Sequence, residues 1–265
     1  AAGSAVVIKV GSRADSGTNQ ITNDDTAGTH TASITSGSSD SLTVKYALIA
    51  GASVTASVEP TLTVTVSAVS SGATADNADS DCGGDGNVDV TTTATTVPFG
   101  TLTAGTSVCA QHDIAVTGNF SSGYQFFVFS PGTGEFANQA GDSIAQFDDG
   151  TAADAASWSA PAGTLGTSAT YGHWGFSSSD ADDPGAATCA NIQTWGDDAG
   201  TAQAKYTAVL NEDGTHRIAG CHDGPSDGST DDVGAFSIVY KVETSSLLPA
   251  GDYSQTVGYT VAALY

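Results

Sequence analysis

The chain has 265 residues, of which 39% are hydrophobic and 13% charged, and its 29 acidic residues against 6 basic ones leave a net charge of −23. That length holds one large all-β domain or two small ones, and the charge argues against nucleic acid or anionic membrane surfaces as partners. No stretch of about 18 apolar residues occurs, so no membrane span is expected.

Lys, Glu, Gln and Arg are scarce and Met is absent, whereas Ser, Thr, Gly and Val abound. That mixture favours strands and turns over helices. The opening AAGSAVV is the kind of start that signal peptidase leaves, so the expected location is extracellular, at the cell surface. Residues 5–10, AVVIKV, form a short apolar strand candidate, and the polar stretch 11–40 reads as linker, loop or weak strand. This divides the chain into an N-terminal strand and linker, 1–50, and a sandwich domain, 51–265.

SLTVKYALIA (41–50) places Leu42, Val44, Tyr46 and Leu48 at even positions. The same parity holds in SVTASVEPTLTVTVSA (53–68), where every even position is apolar, counting Pro60, and every odd one is Ser, Thr or Glu. Such alternation marks a strand with one buried and one wet face. A strand of that extent would run about 53 Å, several times the usual length. Three arrangements account for it: two successive strands broken near Gly51 and Pro60, a strand crossing between two sheets, or a segment completing a neighbour's sheet.

Next comes DNADSDCGGDGNVD (76–89), where Asp79, Asp81, Asp85 and Asp89 stand among glycines as in oxygen-rich loops that hold calcium. A solvated acidic loop fits the same residues. Residues 87–105 read as a strand and turn, and DIAVTG (113–118) with YQFFVFS (124–130) as a hairpin around NFSSG. Asn119 begins a formal glycosylation sequon there, and the Thr run 91–96 is a candidate for O-glycosylation. Residues 131–200 form a long loop insertion that carries all three Trp. Within it, YGHWGF offers Tyr171, His173 and Trp174 either as a glycan-stacking platform or as a small satellite core. KYTAVL (205–210), AFSIVYKVE and DYSQTVGYTVAALY supply the remaining strands.

The four cysteines, Cys82, Cys109, Cys189 and Cys221, form no close pair of the kind a zinc site needs. Two disulfides are expected instead. Of the three possible pairings, the sequential one, Cys82–Cys109 and Cys189–Cys221, is favoured, each bond contributing about 3 kcal/mol. No GxSxG occurs, and His30, His112, His173, His216 and His222 stand in unrelated contexts, so no enzymatic activity is expected.

LPAGDYSQTVGYTVAAL (248–264) resembles the closing strand of spore-coat-protein-U-type and WxL-type surface domains. VPFGTLTAGT (97–106), DIAVTGNFSSGYQFFV (113–128) and VEPTLTVTVS (58–67) resemble other strands of such secreted, sometimes pilin-like, β-sandwiches. None of Trp158, Trp174 and Trp195 is followed by the Trp-x-Leu pattern. The resemblance implies export and a surface or fibre-forming role without catalysis.

Together these features predict an all-β, immunoglobulin-like or jelly-roll sandwich with long loops and two disulfides. The expected function is that of a subunit in a head-to-tail extracellular homopolymer. Residues 4–10 would be the donated strand, with Val6, Ile8 and Val10 entering a neighbour's groove. The alternative is a carbohydrate- or cell-wall-binding module.

Overall fold

The computed structural model describes residues 26–37, 40–76, 82, 86–120, 122–147, 155–180, 205–210, 217–222 and 234–264. Its regular structure is all-β, apart from a 3-10 turn at Ser168–Thr170. Among the described residues no helix is long and apolar enough to cross a membrane. The chain divides into two compact units, Ala1–Val58 and Glu59–Tyr265. The boundary between units therefore lies eight residues beyond the one expected after residue 50.

The first unit contains an antiparallel hairpin of β1 (Gly28–Ser36) and β2 (Asp40–Leu48), paired in register from Gly28↔Leu48 to Ser36↔Asp40. Part of the predicted linker is thus strand. Thr, Ser and Lys alternate with Ile, Val, Leu and Tyr here, the pattern of a two-faced ribbon.

The second unit is built on a six-stranded sheet in the order β3–β4–β12–β9–β7–β6. These strands are β3 (Leu62–Ala68), β4 (Val108–Gly118), β6 (Phe136–Ala137), β7 (Ser143–Gln146), β9 (Gly172–Ser178) and β12 (Ala235–Thr244). A three-stranded sheet, β11–β5–β13, comprises β5 (Tyr124–Phe129), β11 (Arg217–His222) and β13 (Gly258–Ala263). β8 (Ala156–Ser157) and β10 (Lys205–Tyr206) form a small separate pair.

Even-numbered residues of β4, β9 and β12 face the three-stranded sheet. Phe126 meets Phe236 edge-on at 5.1 Å, and Ala110, Ile114, Val116, Trp174, Phe176, Ile238 and Tyr240 fill the core around them. The opposite face is buried as well. Val239 and Cys109 pack under Val69, Ala75, Cys82 and Val88, and Tyr206 and Phe147 form a further cluster with Trp158. The result is three layers, the outermost built largely from irregular chain.

That outer layer is pinned by polar contacts. The ammonium of Lys241, fully buried, lies 5.1 Å from the centre of the Trp158 ring and 5.2 Å from that of Tyr206. Trp158 Nε1 donates to Glu243 at 2.8 Å. Gln111 Nε2 donates to Asp76 at 3.0 Å and to Asp113 at 2.8 Å, and Ser237 Oγ bonds both carboxylates. Thr92, inside the candidate O-glycosylation run, is buried and donates to the Gln111 carbonyl at 2.8 Å, so its hydroxyl is not a free acceptor.

Several expectations need correcting. Of the three arrangements open for the alternating stretch, the strand bounds agree with a break near Gly51 and Pro60: β2 ends at Leu48, β3 begins at Leu62, and Val54 and Val58 between them stand 91% and 83% exposed. Pro60, which lacks an N–H, comes just before the paired part. Residues 113–118 and 124–130 do not form a hairpin, because β4 pairs with β3 and β12 whereas β5 pairs with β11 and β13. The chain crosses between sheets at Gly118–Phe120. A Cβ at Gly118 would collide with the Thr61 carbonyl and the Phe120 ring. Residues 87–105 contribute two isolated bridges, Thr74↔Asn87 and Thr93↔Thr96, rather than a strand. The supposed insertion 131–200 supplies β9, which pairs with β12 inside the large sheet.

Cys82 and Cys109 are disulfide-bonded with Cα atoms 5.3 Å apart. Cys189 lies outside the described residues, and the Cys189–Cys221 bond remains an expectation. The Cys82–Cys109 bond ties the outer layer to β4 across 27 residues of sequence. Replacing both residues by alanine is expected to lower stability by about 3 kcal/mol, measured by chemical denaturation.

Candidate functional site

Stacking contacts locate each strand of the small sheet over the large one. β11 lies over β9, since Ser178 Oγ donates to the Ala219 carbonyl and Cys221 N–H donates to Asp180 at 2.6 Å. β5 lies over β12 through Phe126 and Phe236. β13 lies over β4 and β12, where the Tyr259 hydroxyl bonds His112 at 3.0 Å and also meets Tyr240.

One strand further along, β3 is covered only in part: Val66 packs against the core, whereas Leu62 and Val64 are exposed. Leu62, Val64 and Val66 share the inner face, paired with Gly118, Val116 and Ile114. Leu62 is 40% and Val64 38% exposed, although their partner Val116 is fully buried. On the facing sheet, β13 has β5 as its one strand neighbour among the described residues. An open edge above and an uncovered apolar strip below together outline a slot for one more strand. Leu264, 37% exposed, follows directly on β13.

Asn119 holds this end of the sheet in place. Its Oδ1 accepts from Thr61 N–H at 2.7 Å and its Nδ2 donates to the Glu59 carbonyl at 2.9 Å. The amide therefore fixes the entry into β3, whether or not the sequon is used.

Two neighbouring cavities, of about 630 and 510 Å³, share Val97, Phe99 and Phe136. The smaller reaches His112, Tyr240 and Tyr259. His112 Nε2 lies 2.7 Å from the Thr93 carbonyl, which can only accept, so this nitrogen carries the proton. Burial holds the His112 pKa below the ordinary histidine value, against the opposing pull of the Thr93 and Thr96 carbonyls and Asp113. In the neutral ring Nδ1 then accepts from Tyr259, whose oxygen accepts from Tyr240. Burial also pushes Tyr259 up to about 12 and Tyr240 well above the ordinary tyrosine value. Both nitrogens of His112 are engaged, so the triad is a neutral structural relay.

The aromatic trio of the predicted glycan platform does not share a surface. Trp174 is 1% exposed, its ring 4.8 Å from Phe136 and its Nε1 donating to the Gly134 carbonyl at 2.7 Å. His173, its neighbour on β9, points to the opposite face and meets Trp158 at 4.6 Å and Phe147 at 5.2 Å. Tyr171 accepts from Gly166 N–H at 2.9 Å and fixes its own loop. Alternation along a strand separates the first two.

Of the candidate calcium ligands, Asp89 accepts from Cys109 N–H at 2.6 Å and anchors the start of β4. Asp79, Asp81 and Asp85 lie outside the described residues, as do Val6, Ile8 and Val10 of the expected donor strand. The uncovered strip over β3 was missed in the sequence. Its signal, apolar residues at 62, 64 and 66, was merged there into a longer pattern.

The fold is thus all-β and consistent with a β-sandwich, and among the described residues β13 is an edge strand of its sheet. No protein-family model, curated protein or solved structure matches the chain.

Proposed function

We propose that the protein is a structural subunit of an extracellular filament, pilus-like fibre or surface layer, completed by a β-strand from a neighbouring copy. The observation that carries this reading is the slot formed by the open edge of β13 and the exposed inner face of β3. An added strand there would bond β13 through its backbone and turn alternate side chains onto Leu62 and Val64.

AVVIKV fits in length and pattern. Its six residues match the six of β13, and Val6, Ile8 and Val10 would point inward. Burying three such side chains is favourable by about 1.5–3 kcal/mol each. Given head to tail, the contact is heterologous and propagates as an open filament.

Deleting residues 1–12 is expected to abolish fibres in electron micrographs and to leave a folded, monomeric sandwich. Normal fibres from the deleted chain would overturn the proposal. Restored assembly on adding a peptide of residues 1–12 fused to a second sandwich would identify the strand as the donor.

A further inference from the structure

The two cavities beside His112 lie between the inner face of the large sheet and two loops that cross it, residues 94–104 and 245–257. Their walls are tied in place. Gly105 N–H donates to the Thr244 carbonyl at 2.7 Å, Ser254 and Ala137 exchange N–H···O bonds at 3.1 Å, and the Tyr253 hydroxyl donates to the Pro249 carbonyl at 2.7 Å. Volumes of about 630 and 510 Å³ fall within the range of about 300–1,000 Å³ that preformed small-molecule sites occupy.

We propose that these cavities are the two lobes of a binding site for an uncharged amphiphile, whose apolar body lies in the smaller lobe and whose hydroxyl end lies in the larger. Two properties of the lining select that chemistry. The first is the floor of the smaller lobe, made by His112, Trp174, Tyr240 and Tyr259. Its donors are spent inside the protein: His112 Nε2–H on the Thr93 carbonyl, Trp174 Nε1–H on the Gly134 carbonyl, Tyr240 on Tyr259, and Tyr259 on His112 Nδ1. A held water needs about two to four polar partners, and this floor offers it mainly aromatic surface. An apolar body therefore displaces only weakly held water.

The second is charge. Among the described residues neither lobe is lined by Lys or Arg, and the one lining carboxylate, Asp252, stands exposed to solvent. An anionic head group would find no counter-ion here and would meet a chain of net charge −23. A cationic one would lose its hydration on entering and find no buried carboxylate in return. An uncharged head is served better, because the larger lobe offers it the hydroxyls of Thr101, Thr244, Ser245 and Ser246.

Val97, Phe99 and Phe136 line both lobes and form the waist between them, with Phe99 and Phe136 edge to face at 6.0 Å. A ligand that reaches from one lobe into the other passes these apolar side chains, which suits an alkyl chain or a narrow ring. No residue of β3 lines either lobe, so the site does not depend on an added strand.

Fluorescence of N-phenyl-1-naphthylamine, an uncharged apolar dye, tests the site on the full-length chain. Saturable binding of one dye per chain is expected, and decanol should displace it at a concentration at least tenfold lower than decanoate or decylammonium. Val97→Trp, which fills the waist, and Thr256→Trp, at an exposed position on the smaller lobe, are each expected to weaken dye binding at least tenfold. The unfolding midpoint of Thr256→Trp is expected to match that of the parent chain, which separates a blocked site from a damaged fold. No saturable binding, displacement as strong by either charged analogue, or dye affinity unchanged in both wall variants would overturn the proposal. So would loss of binding in Leu42→Thr with Val44→Thr, which would place the dye on the exposed face of the β1–β2 hairpin. Removing residues 1–12 is expected to leave dye affinity unchanged, so strand donation and ligand binding can fail independently.

Discussion

Trp174→Ala is expected to destabilise the protein by about 3–5 kcal/mol, the usual range for removing a large aromatic from a packed core. The ring is almost wholly buried, is held edge-on by Phe136 and borders Ile144 and Phe176 within one core cluster. Its removal opens a cavity that the flanking strands of the sheet cannot close without losing ladder bonds. It also leaves the Gly134 carbonyl without its 2.7 Å donor. The midpoint of guanidinium unfolding measures the effect. A ring that stacked on sugars would behave oppositely, with glycan affinity lost and the midpoint unchanged. A loss under about 1 kcal/mol would contradict the placement of Trp174 in the core.

The fate of YGHWGF illustrates what a single sequence conveys and what it hides. Phe236, Ile238, Tyr240 and Val242 of β12 follow a two-residue period, and their burial was legible from that period alone. β13 was legible in the same way. In β9, glycines interrupt the run and aromatic residues point to both sides, so no period emerges. The strand is held by its neighbour β12 rather than by its own pattern.

Position matters as much as period. Ser237, Lys241 and Glu243 read as the wet side of β12, yet all three are buried under the outer layer. That layer comes from residues distant in sequence, such as Trp158 and Tyr206, which no local pattern links to β12. NFSSG likewise has the composition of a hairpin turn. Asn119 instead bonds back to residues 59–61, and Phe120 enters the core, which sends the chain to the other sheet. The uncovered strip on β3 could not have been found locally, because it depends on how many strands each sheet receives. The alternation at Leu62, Val64 and Val66 was visible, but whether anything covers it is a property of topology.

Tyr259→Phe is expected to cost more than Tyr240→Phe, although each removes one oxygen. Tyr259 is the middle link, donating to His112 Nδ1 and accepting from Tyr240. Its loss strands an acceptor on one side and a donor on the other, each worth about 1–3 kcal/mol when buried and unpaired, so a total of about 2–6 kcal/mol is expected. Tyr240→Phe removes only the terminal donor, and Tyr259 retains its bond to His112. The same relay sets the pH limits of stability. The tyrosines titrate higher in the folded chain than in the unfolded one, so their contribution is whole below about pH 10 and is lost as pH rises toward 12. His112 titrates lower when folded, so its contribution is whole above about pH 6.5 and is lost as pH falls through the depressed value. Denaturation midpoints measured from pH 4 to 11 should therefore fall at both ends, and Tyr259→Phe should soften the alkaline fall. An alkaline limb unchanged by that substitution would show that the buried tyrosines do not govern it.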